Sequence, residues 1–332
     1  MSTIADQGFP TLVNVVRRMK PDGSVETQLA NTLTKLTPIL KDMPMVEGNL
    51  PTGHRMSSVT ALPSPTWRKL NQGLTPAKGE TQPFDETCGL MEAISKIDVD
   101  LADLNGNAPA YRMSEDELFL EGMSQEASRA IFYESALQNP ERIQGLATRY
   151  PKSTGYTASG YVKLSGSPAS GTACQSIWVI TWDPNRIFGI YPKASVGGLA
   201  REDKGKQYVL DASNLQFEAY VTQFKWKIGL GVKDYRYAVR LQWDPTDTSN
   251  QADSNKTLFT DLQTALGTVW EADQRTRIYM SRTSRNKLAA QLAQNDTRYL
   301  EWSTGPDGEL IQKFLGVPIR ITDTLVGESA LS

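Results

Sequence analysis

The residues that could perform acid–base or metal chemistry are few in this chain. Its 332 residues include one histidine, His54, and two cysteines, Cys88 and Cys174, that stand far apart. A single histidine excludes a two-histidine metal site and leaves at most one serine–histidine pair. No G-x-S-x-G motif surrounds His54, so we expect a structural or interface role for it. The cysteines have no metal-ligand spacing and are expected to be reduced structural thiols.

Two groups of carboxylates could in principle serve glycoside hydrolysis, which needs a pair of them. Asp98 and Asp100 lie in a strand-like segment, and Glu115, Asp116 and Glu117 follow it. We interpret the first pair as the polar face of a strand. We interpret the second group as solvated charges on the first turn of a helix, where they complement its dipole. A sugar- or ester-cleaving enzyme is therefore a minor alternative, and the chain is expected not to be an enzyme.

The remaining motifs predict neither a phosphate loop nor a nucleic-acid patch. Gly229 and Gly231 lie within a strand pattern, where glycine favours a bend or a close backbone approach. A basic cluster follows, with acidic Glu271 and Asp273 beside it and strand alternation dividing its side chains between two faces. The cluster consists of Arg275, Arg277, Arg282, Arg285 and Lys287. We expect ion pairs between subunits or a solvated face there.

Composition and charge exclude several classes of protein. A formal net charge of -2 gives no overall attraction to nucleic acid or anionic membrane, so any contact with DNA is expected to be local, weak and non-specific. No apolar run is long enough for a membrane span, and the first residues lack the parts of a signal peptide. We expect a protein made in the cytosol, without a membrane partner, a metal or a cofactor.

The first 45 residues are predicted to be an arm that ends in a short helix. Leu29, Leu33 and Leu36 share one helical face, and Pro38 is expected to end that helix at the residue before it. A helix this short is marginally stable alone. It is therefore expected to dock on this subunit or on a neighbour.

Residues 46–84 are predicted to form a long hairpin loop. Proline and glycine recur throughout it, and residues 54–62 (HRMSSVTAL) are strand-like. Segments of this length without a helix are uncommon in compact domains and are usually functional or disordered. Trp67, Leu70 and Leu74 argue against disorder, because a solvated linker has no use for apolar anchors. The loop is expected to need a partner surface.

The chain after the loop has the regular patterns of an α+β protein. Residues 88–104 are predicted to be a half-buried strand, and Ser114 with Glu117 is predicted to be the capping box of a long helix that ends at Asn139. Two hairpins are predicted, 177–182 with 186–192 and 223–232 with 235–243. The last third is predicted to hold a helix over 258–269 after a cap at Ser254–Asn255, a strand over 277–280, a helix that Ser284 opens, and strands over 310–325 after a turn at 305–308.

Five phrases in a fixed order carry a family resemblance. They are LTKLTPILKDMPMVEGNLPTGHR (33–55), CGLMEAISKIDVDLADL (88–104), YRMSEDELFLEGM (111–123), WKIGLGVKDYRYAVRL (226–241) and FLGVPIRITDTL (314–325). Together they resemble the major capsid proteins of tailed bacteriophages with the Hong Kong 97-type fold, and most of all those of short-tailed phages.

The resemblance implies a subunit in four parts. They are an N-terminal arm (1–45), an extended loop (46–84), a peripheral domain with a spine helix (85–144, joined by part of 310–332) and an axial domain (145–309). In such shells the loop lies over the adjacent subunit and the arms cross beneath it. Axial domains meet in hexamers and pentamers. The implied function is an icosahedral virion shell around a double-stranded DNA genome, assembled in the cytoplasm of the bacterial host.

The resemblance also implies partners and contact residues. The segment before the first predicted helix is too short for a built-in scaffold, so a separate scaffolding protein is expected, with a portal and a candidate cement or decoration protein. Contacts between subunits are expected at Leu33, Leu36, Pro51, His54, Arg55, Trp67, Arg68, Leu70 and Lys78. A cellular encapsulating shell of the same fold, with a cargo enzyme in place of DNA, is the main alternative.

Overall fold

A computed structural model describes residues 35–104, 107–152, 157–165, 174–211, 213–245, 257–293, 300–304, 310–325, 327–329 and 331. Within this part of the chain, two β-sheets are flanked by helices. This is the mixed α and β class that the sequence predicts. No helix in the described ranges has the length and the apolar composition needed to cross a membrane.

In chain order, the helices are Ile39–Asp42 (α1), Val99–Asp103 (α2), Ala108–Tyr133 (α3), Leu146–Arg149 (α4), Thr257–Thr268 (α5) and Arg282–Ala293 (α6). Single 3-10 turns lie at Thr157–Tyr161 and Tyr235–Tyr237. The strands are Met45–Glu47 (β1), Gly53–Ala61 (β2), Glu80–Asp98 (β3), Val162–Ser165 (β4), Gln175–Thr181 (β5), Ile187–Tyr191 (β6), Leu199–Leu210 (β7), Gln216–Val232 (β8), Ala238–Trp243 (β9), Thr276–Met280 (β10), Leu300–Thr304 (β11), Leu310–Phe314 (β12) and Val317–Ile321 (β13).

The first sheet has the order β1-β6-β8-β3-β2, and β7 also pairs with β8. Strand β8 is central, because β3 lies along one edge of it while β7 and β6 share the other. Helix α3 packs against one face of this sheet, where the rings of Phe119 and Phe224 stack with centroids 5.8 Å apart. Strand β3 continues beyond β8 and there pairs only with β2, so a two-stranded hairpin leaves the sheet.

The second sheet has the order β11-β12-β13-β10-β5-β9-β4 and is covered on both faces. Strand β5 is buried along its whole length, and its side chains alternate between two cores. Ile177 and Val179 pack with the helices α5 and α6, whereas Trp178 and Ile180 pack with the end of α3. The core that contains Trp178 and Ile180 also includes residues of β6 and β8, so it joins the two sheets.

The spine helix α3 begins earlier and ends earlier than its sequence pattern predicts. Asn107 caps it by accepting from the N–H of Ala110, and Pro109 occupies the first turn. The predicted capping box is therefore wrong: Ser114 lies inside the helix and donates to the carbonyl of Tyr111. The helix ends at Tyr133 because Glu134 is extended. Its 26 residues span about 39 Å at the usual rise per residue.

The predicted strand over 88–104 is correct only as far as Asp98. There the Asp98 carboxylate accepts from the N–H of Asp100 and caps helix α2. Val99, which the alternation placed in the strand, is buried as part of that helix, together with Ala102. Val99 and Ala102 are three residues apart, so a helix places both side chains on one buried face. The cap at Asp98 therefore begins a helix where the alternating pattern predicted a continued strand.

Both hairpins predicted after residue 177 are wrong. Strand β5 pairs with β9 and β10 in the second sheet, while β6 pairs with β1 and β8 in the first. Strand β8 likewise stays in the first sheet, and β9 belongs to the second. The chain thus crosses between sheets at the two predicted turns. These connections lie side by side, since the N–H of Lys233 donates to the carbonyl of Arg186 at 2.9 Å.

Smaller differences concern caps near predicted helices. The helix predicted to end at Thr37 lies outside the described residues up to position 34; residues 35–37 are not helical, and Pro38 stands at the start of α1, as suits a residue with a fixed φ. Helix α6 is preceded by Ser281, whose hydroxyl accepts from the N–H of Ser284 at 3.0 Å. Ser281 therefore caps that helix instead of Ser284. The predicted cap at Ser254–Asn255 and the turn at 305–308 lie outside the described residues.

Sheet membership crosses the expected domain boundaries, which remain predictions. Strands β6, β7 and β8 lie in the range assigned to the axial domain, yet they form the first sheet with β3. Strand β13 lies in the range expected to join the peripheral domain, yet it pairs with β10 in the second sheet. Each sheet is thus assembled from distant parts of the chain.

Gly229 provides the close backbone approach that its place in the strand pattern predicts. A Cβ atom there would lie 2.7 Å from Cγ1 of Ile190 and 2.9 Å from the carbonyl oxygen of Thr87. Gly229→Ala is therefore expected to lower the free energy of unfolding by about 1–3 kcal/mol, measured by urea denaturation. Gly122→Ala is the control: it lies in α3 with open space around it, so alanine should raise stability by up to about 1 kcal/mol. Equal effects of the two changes would contradict the packing at Gly229.

Candidate assembly surface

The hairpin of β2 and β3 carries most of the residues predicted to contact other subunits. Its strands pair antiparallel from Gly53 with Thr87 to Ala61 with Glu80. The tip, residues 62–79, contains no strand or helix. Trp67 is fully exposed, and Leu62, Leu70 and Leu74 are also largely exposed. The hairpin predicted from the sequence is therefore present, and its apolar anchors do not pack on their own subunit.

The tip also has a uniform charge. Residues 62–79 include Arg68, Lys69 and Lys78 but no acidic residue. Singly exposed apolar side chains are common on protein surfaces, but a contiguous apolar stretch marks an interaction site. The tip thus presents several large apolar side chains with three positive charges, which suits an apolar surface with acidic groups around it.

The start of β2 forms a compact turn around the single histidine. The N–H of Asn49 donates to Nδ1 of His54 at 3.2 Å, and the N–H of Arg55 donates to Oδ1 of Asn49 at 2.6 Å. The imidazole also meets the ring of Phe188 edge-on, with centroids 5.8 Å apart. Pro51 is exposed in this turn, between Leu50 and Gly53. His54 thus has structural partners within its own subunit.

An exposed ion pair joins the two strands of the hairpin. Arg55 in β2 donates through Nε and Nη2 to the two carboxylate oxygens of Asp85 in β3, each at 2.6 Å. These hydrogen bonds lower the pKa of Asp85 and raise that of Arg55. Both groups are in solvent, so the pair is expected to add little stability.

A buried ion pair joins the hairpin to the body of the subunit. Glu86 is the residue after Asp85, but its side chain is only 9% exposed and faces Arg149 at the end of α4, which is 17% exposed. Nη2 of Arg149 donates to Oε2 of Glu86 at 2.6 Å, and Nη1 binds the other carboxylate oxygen. Arg149 also donates to the carbonyl oxygens of Gln144 and Leu230.

A second buried pair ties the end of the chain to both the spine helix and the second sheet. Oε2 of Glu328 accepts from Nη2 of Arg240 at 2.8 Å, and these side chains are only 7% and 5% exposed. The hydroxyls of Tyr133 in α3 and Ser176 in β5 donate to the same carboxylate. Burial and the adjacent Glu328 raise the pKa of Tyr133, so it stays a neutral donor near neutral pH.

Comparison with known proteins identifies the family of this chain. The family model "Major capsid protein GP7" matches residues 20–331, which is most of the sequence. The chain belongs to this major capsid protein family. The protein is therefore a shell-forming coat protein of a bacteriophage virion that associates with copies of itself, as the resemblance in the sequence implies. No curated protein sequence matches the chain.

Solved structures agree with the family and with the Hong Kong 97-type fold of this capsid protein. A chain of the near-atomic-resolution structure of bacteriophage Epsilon15 is 26% identical, with a TM-score of 0.76 over 99% of each chain. The capsid of bacteriophage JBD30 is 10% identical, with a TM-score of 0.53 over 91% of this chain and 95% of that one. The second likeness concerns the fold alone.

The capsid protein has few groups arranged for chemistry in the described part of the chain. No three His, Cys, Asp or Glu side chains lie together there as metal ligands would.

Asp116 was predicted to be solvated, and this is wrong: it is buried and accepts from Nε and Nη2 of Arg201 in β7, at 2.9 and 2.6 Å. Glu115 is buried as well. Because Arg112 pairs with Asp203 at 2.7 Å, two ion pairs fasten α3 to the edge strand.

Three residues of the basic cluster have acidic partners within the capsid subunit, while Arg275 and Arg282 remain 61% and 60% exposed, in agreement with the expected solvated face; ion pairs between subunits stay a prediction. Arg275 binds Asp183, and the Nε atom of Arg282 lies 3.8 Å from Asp323. Arg277 lies 3.7 Å from Asp42. Arg277 thus joins β10 to α1, while Arg275 and Arg282 contact loops that follow β5 and β13.

The expected contact residues fall into two places. Pro51, His54 and Arg55 lie at the base of the hairpin, and Trp67, Arg68, Leu70 and Lys78 lie in its tip. Leu36 is at the other place, where the arm leaves the body: its N–H donates to Asp323 and its carbonyl accepts from Thr322. Leu33 lies outside the described residues. Sequence reasoning missed Glu86 and Arg149, for which no local pattern exists.

Proposed function

We propose that the tip of the hairpin, residues 62–79, lies over a neighbouring subunit and that this contact propagates the shell. The observation that supports this is the exposure of Trp67, Leu70 and Leu74 on a loop that has no core of its own. Burying such side chains is worth about 1.5–3 kcal/mol each. A contact from each subunit to the next, repeated around five- and six-fold axes, yields pentamers and hexamers of a closed shell.

The proposed contact residues divide by role. Trp67 and Leu70 supply apolar area, while Arg68 and Lys78 supply charge that steers the tip to an acidic surface. Pro51, His54 and Arg55 shape the base of the hairpin. Leu33 and Leu36 are proposed to hold the arm against a subunit.

The shell is proposed to enclose a double-stranded DNA genome and to act without enzymatic activity. The net charge of -2 fits weak and non-specific contact with that genome. We propose assembly in the cytoplasm of the bacterial host with a separate scaffolding protein and a portal, and with a candidate cement or decoration protein on the finished shell. Nuclease-protected DNA in purified particles is expected, whereas a cargo enzyme without DNA would indicate an encapsulating compartment.

A photo-cross-linking amino acid at Leu70 tests the proposed contact of the tip. Illumination of assembled shells is expected to give a covalent dimer on a denaturing gel, and illumination of dissociated subunits is expected to give none. Mass spectrometry of the dimer should place the second peptide outside the hairpin that carries the probe. Cross-links that stay within one chain in intact shells would contradict the proposal.

A further inference from the structure

The hairpin leaves the first sheet at a defined point on β3. Cys88, which is opposite Gly229, is the last residue in that direction that pairs with β8. From Thr87 onward, β3 pairs only with β2. A two-stranded ribbon is free to bend and twist at such a point unless side chains fasten it.

Glu86 lies just beyond this point, and its ion pair joins β3 to α4 of the body, in addition to the apolar contact of Phe84 with the cluster of Phe188 and Ile190 in β6. Arg149, the partner of Glu86, is held by three further hydrogen bonds: its guanidinium donates to the carbonyl oxygen of Gln144 from Nε and Nη2, at 3.2 and 3.0 Å, and to that of Leu230 at 3.3 Å. Bidentate pairing of a guanidinium with a carboxylate keeps the two groups close to one plane, which adds directional specificity to the attraction. The pair therefore restricts the direction of the hairpin and not merely its distance from α4.

The neighbouring pair of Arg55 and Asp85 has a different effect. It joins β2 to β3 inside the hairpin, and its side chains are 58% and 43% exposed. It moves with the hairpin whatever the angle to the body. The adjacent residues Asp85 and Glu86 therefore allow a direct comparison. Asp85 forms an ion pair within the hairpin, and Glu86 forms one between the hairpin and the body.

We propose that the Glu86–Arg149 pair sets the angle at which the hairpin leaves the subunit, and so aims the tip at its site on the neighbour. Glu86 and Arg149 are positioning residues, because neither touches the tip itself. In the turn before β2, a backbone bond from the N–H of Lys193 to the carbonyl of Leu50 gives a second attachment, and Met56 of β2 packs against Phe188 and Ile190. Buried ion pairs add little net stability compared with apolar packing, and fixing one arrangement is a role they are known to serve. This inference rests on the proposed contact between tip and neighbour.

Spin labels on the full-length subunit test the angle directly. One label replaces Ser57, exposed in β2, and the other replaces Glu117, exposed in α3. Labelling favours these sites because Cys174 is buried and Cys88 is partly buried. Pulsed electron resonance should give one narrow distance distribution for the parent and for Asp85→Asn. Glu86→Gln and Arg149→Lys should each broaden and shift it, since the second change keeps the charge but loses the fork.

Assembly of the same variants separates this inference from the proposed function. We expect Glu86→Gln and Arg149→Lys to fold cooperatively at a lowered melting temperature and to lose normal closed shells well below that temperature, and Asp85→Asn to keep both the melting temperature and the shells. A narrow, parent-like distribution in both Glu86→Gln and Arg149→Lys would overturn the positioning role. A broadened distribution with normal shells would instead overturn the idea that the tip must be aimed at a neighbour. If Glu86→Gln fails to fold, Arg149→Lys carries the test.

Discussion

Replacing both Trp67 and Leu70 with serine is expected to raise the protein concentration needed for shell formation by at least tenfold, while the subunit keeps its stability. Both side chains lie in solvent in the isolated subunit, so their loss should change the free energy of unfolding by no more than about 0.5 kcal/mol. Large aromatic and aliphatic anchors at an interface commonly contribute 2 kcal/mol or more each, and about 1.4 kcal/mol corresponds to a factor of ten in binding. Light scattering during assembly and urea denaturation measure the two effects.

Thr75→Ser serves as the control for this pair. It lies in the same tip and changes neither charge nor a large apolar group. It should assemble at the concentration of the parent. A Trp67→Ser/Leu70→Ser variant that assembled at that concentration too would mean that the tip does not bind a neighbour through these anchors.

Glu328→Gln is expected to have the largest effect on the stability of the subunit, a loss of roughly 3–5 kcal/mol in the free energy of unfolding. Removing this charge leaves the buried guanidinium of Arg240 without an anionic partner. It also weakens the bonds that the carboxylate accepts from Ser176 and Tyr133. Since these residues belong to β9, β5 and α3, the loss should appear in one cooperative transition measured by thermal or urea unfolding.

Glu202→Gln is the matched control for Glu328→Gln. Glu202 pairs with Lys204 on the edge strand β7, and both side chains are well exposed to solvent. An exposed pair contributes about 0–1 kcal/mol, so this change should be nearly neutral. Equal losses for the two glutamates would show that the burial of the Arg240–Glu328 pair does not matter.

The sequence predicts best those features whose causes are local. Proline and glycine spacing with apolar anchors at Trp67 and Leu70 predicts the hairpin, because turn formers and strand formers act over a few residues. The helix over 258–269 follows from apolar side chains at helical spacing, and α5 occupies Thr257–Thr268. The resemblance to capsid proteins adds the family.

The features that the sequence could not predict depend on distant contacts. Polar turns after Trp182 and Val232 look alike whether a strand returns within its sheet or crosses to another. The outcome depends on partners such as β9 for β5, which is more than fifty residues away. Glu86 and Arg149 are separated by 63 positions, and Arg240 and Glu328 by 88. No spacing rule joins residues at such separations, so these ties require the fold.

Electron microscopy of the purified protein, expressed with and without the neighbouring phage genes, tests the assignment as a shell subunit most directly. We expect closed icosahedral particles with a scaffolding protein present, and closed or aberrant shells without it. A monodisperse monomer at high protein concentration and at every salt concentration tried, in both preparations, would contradict it.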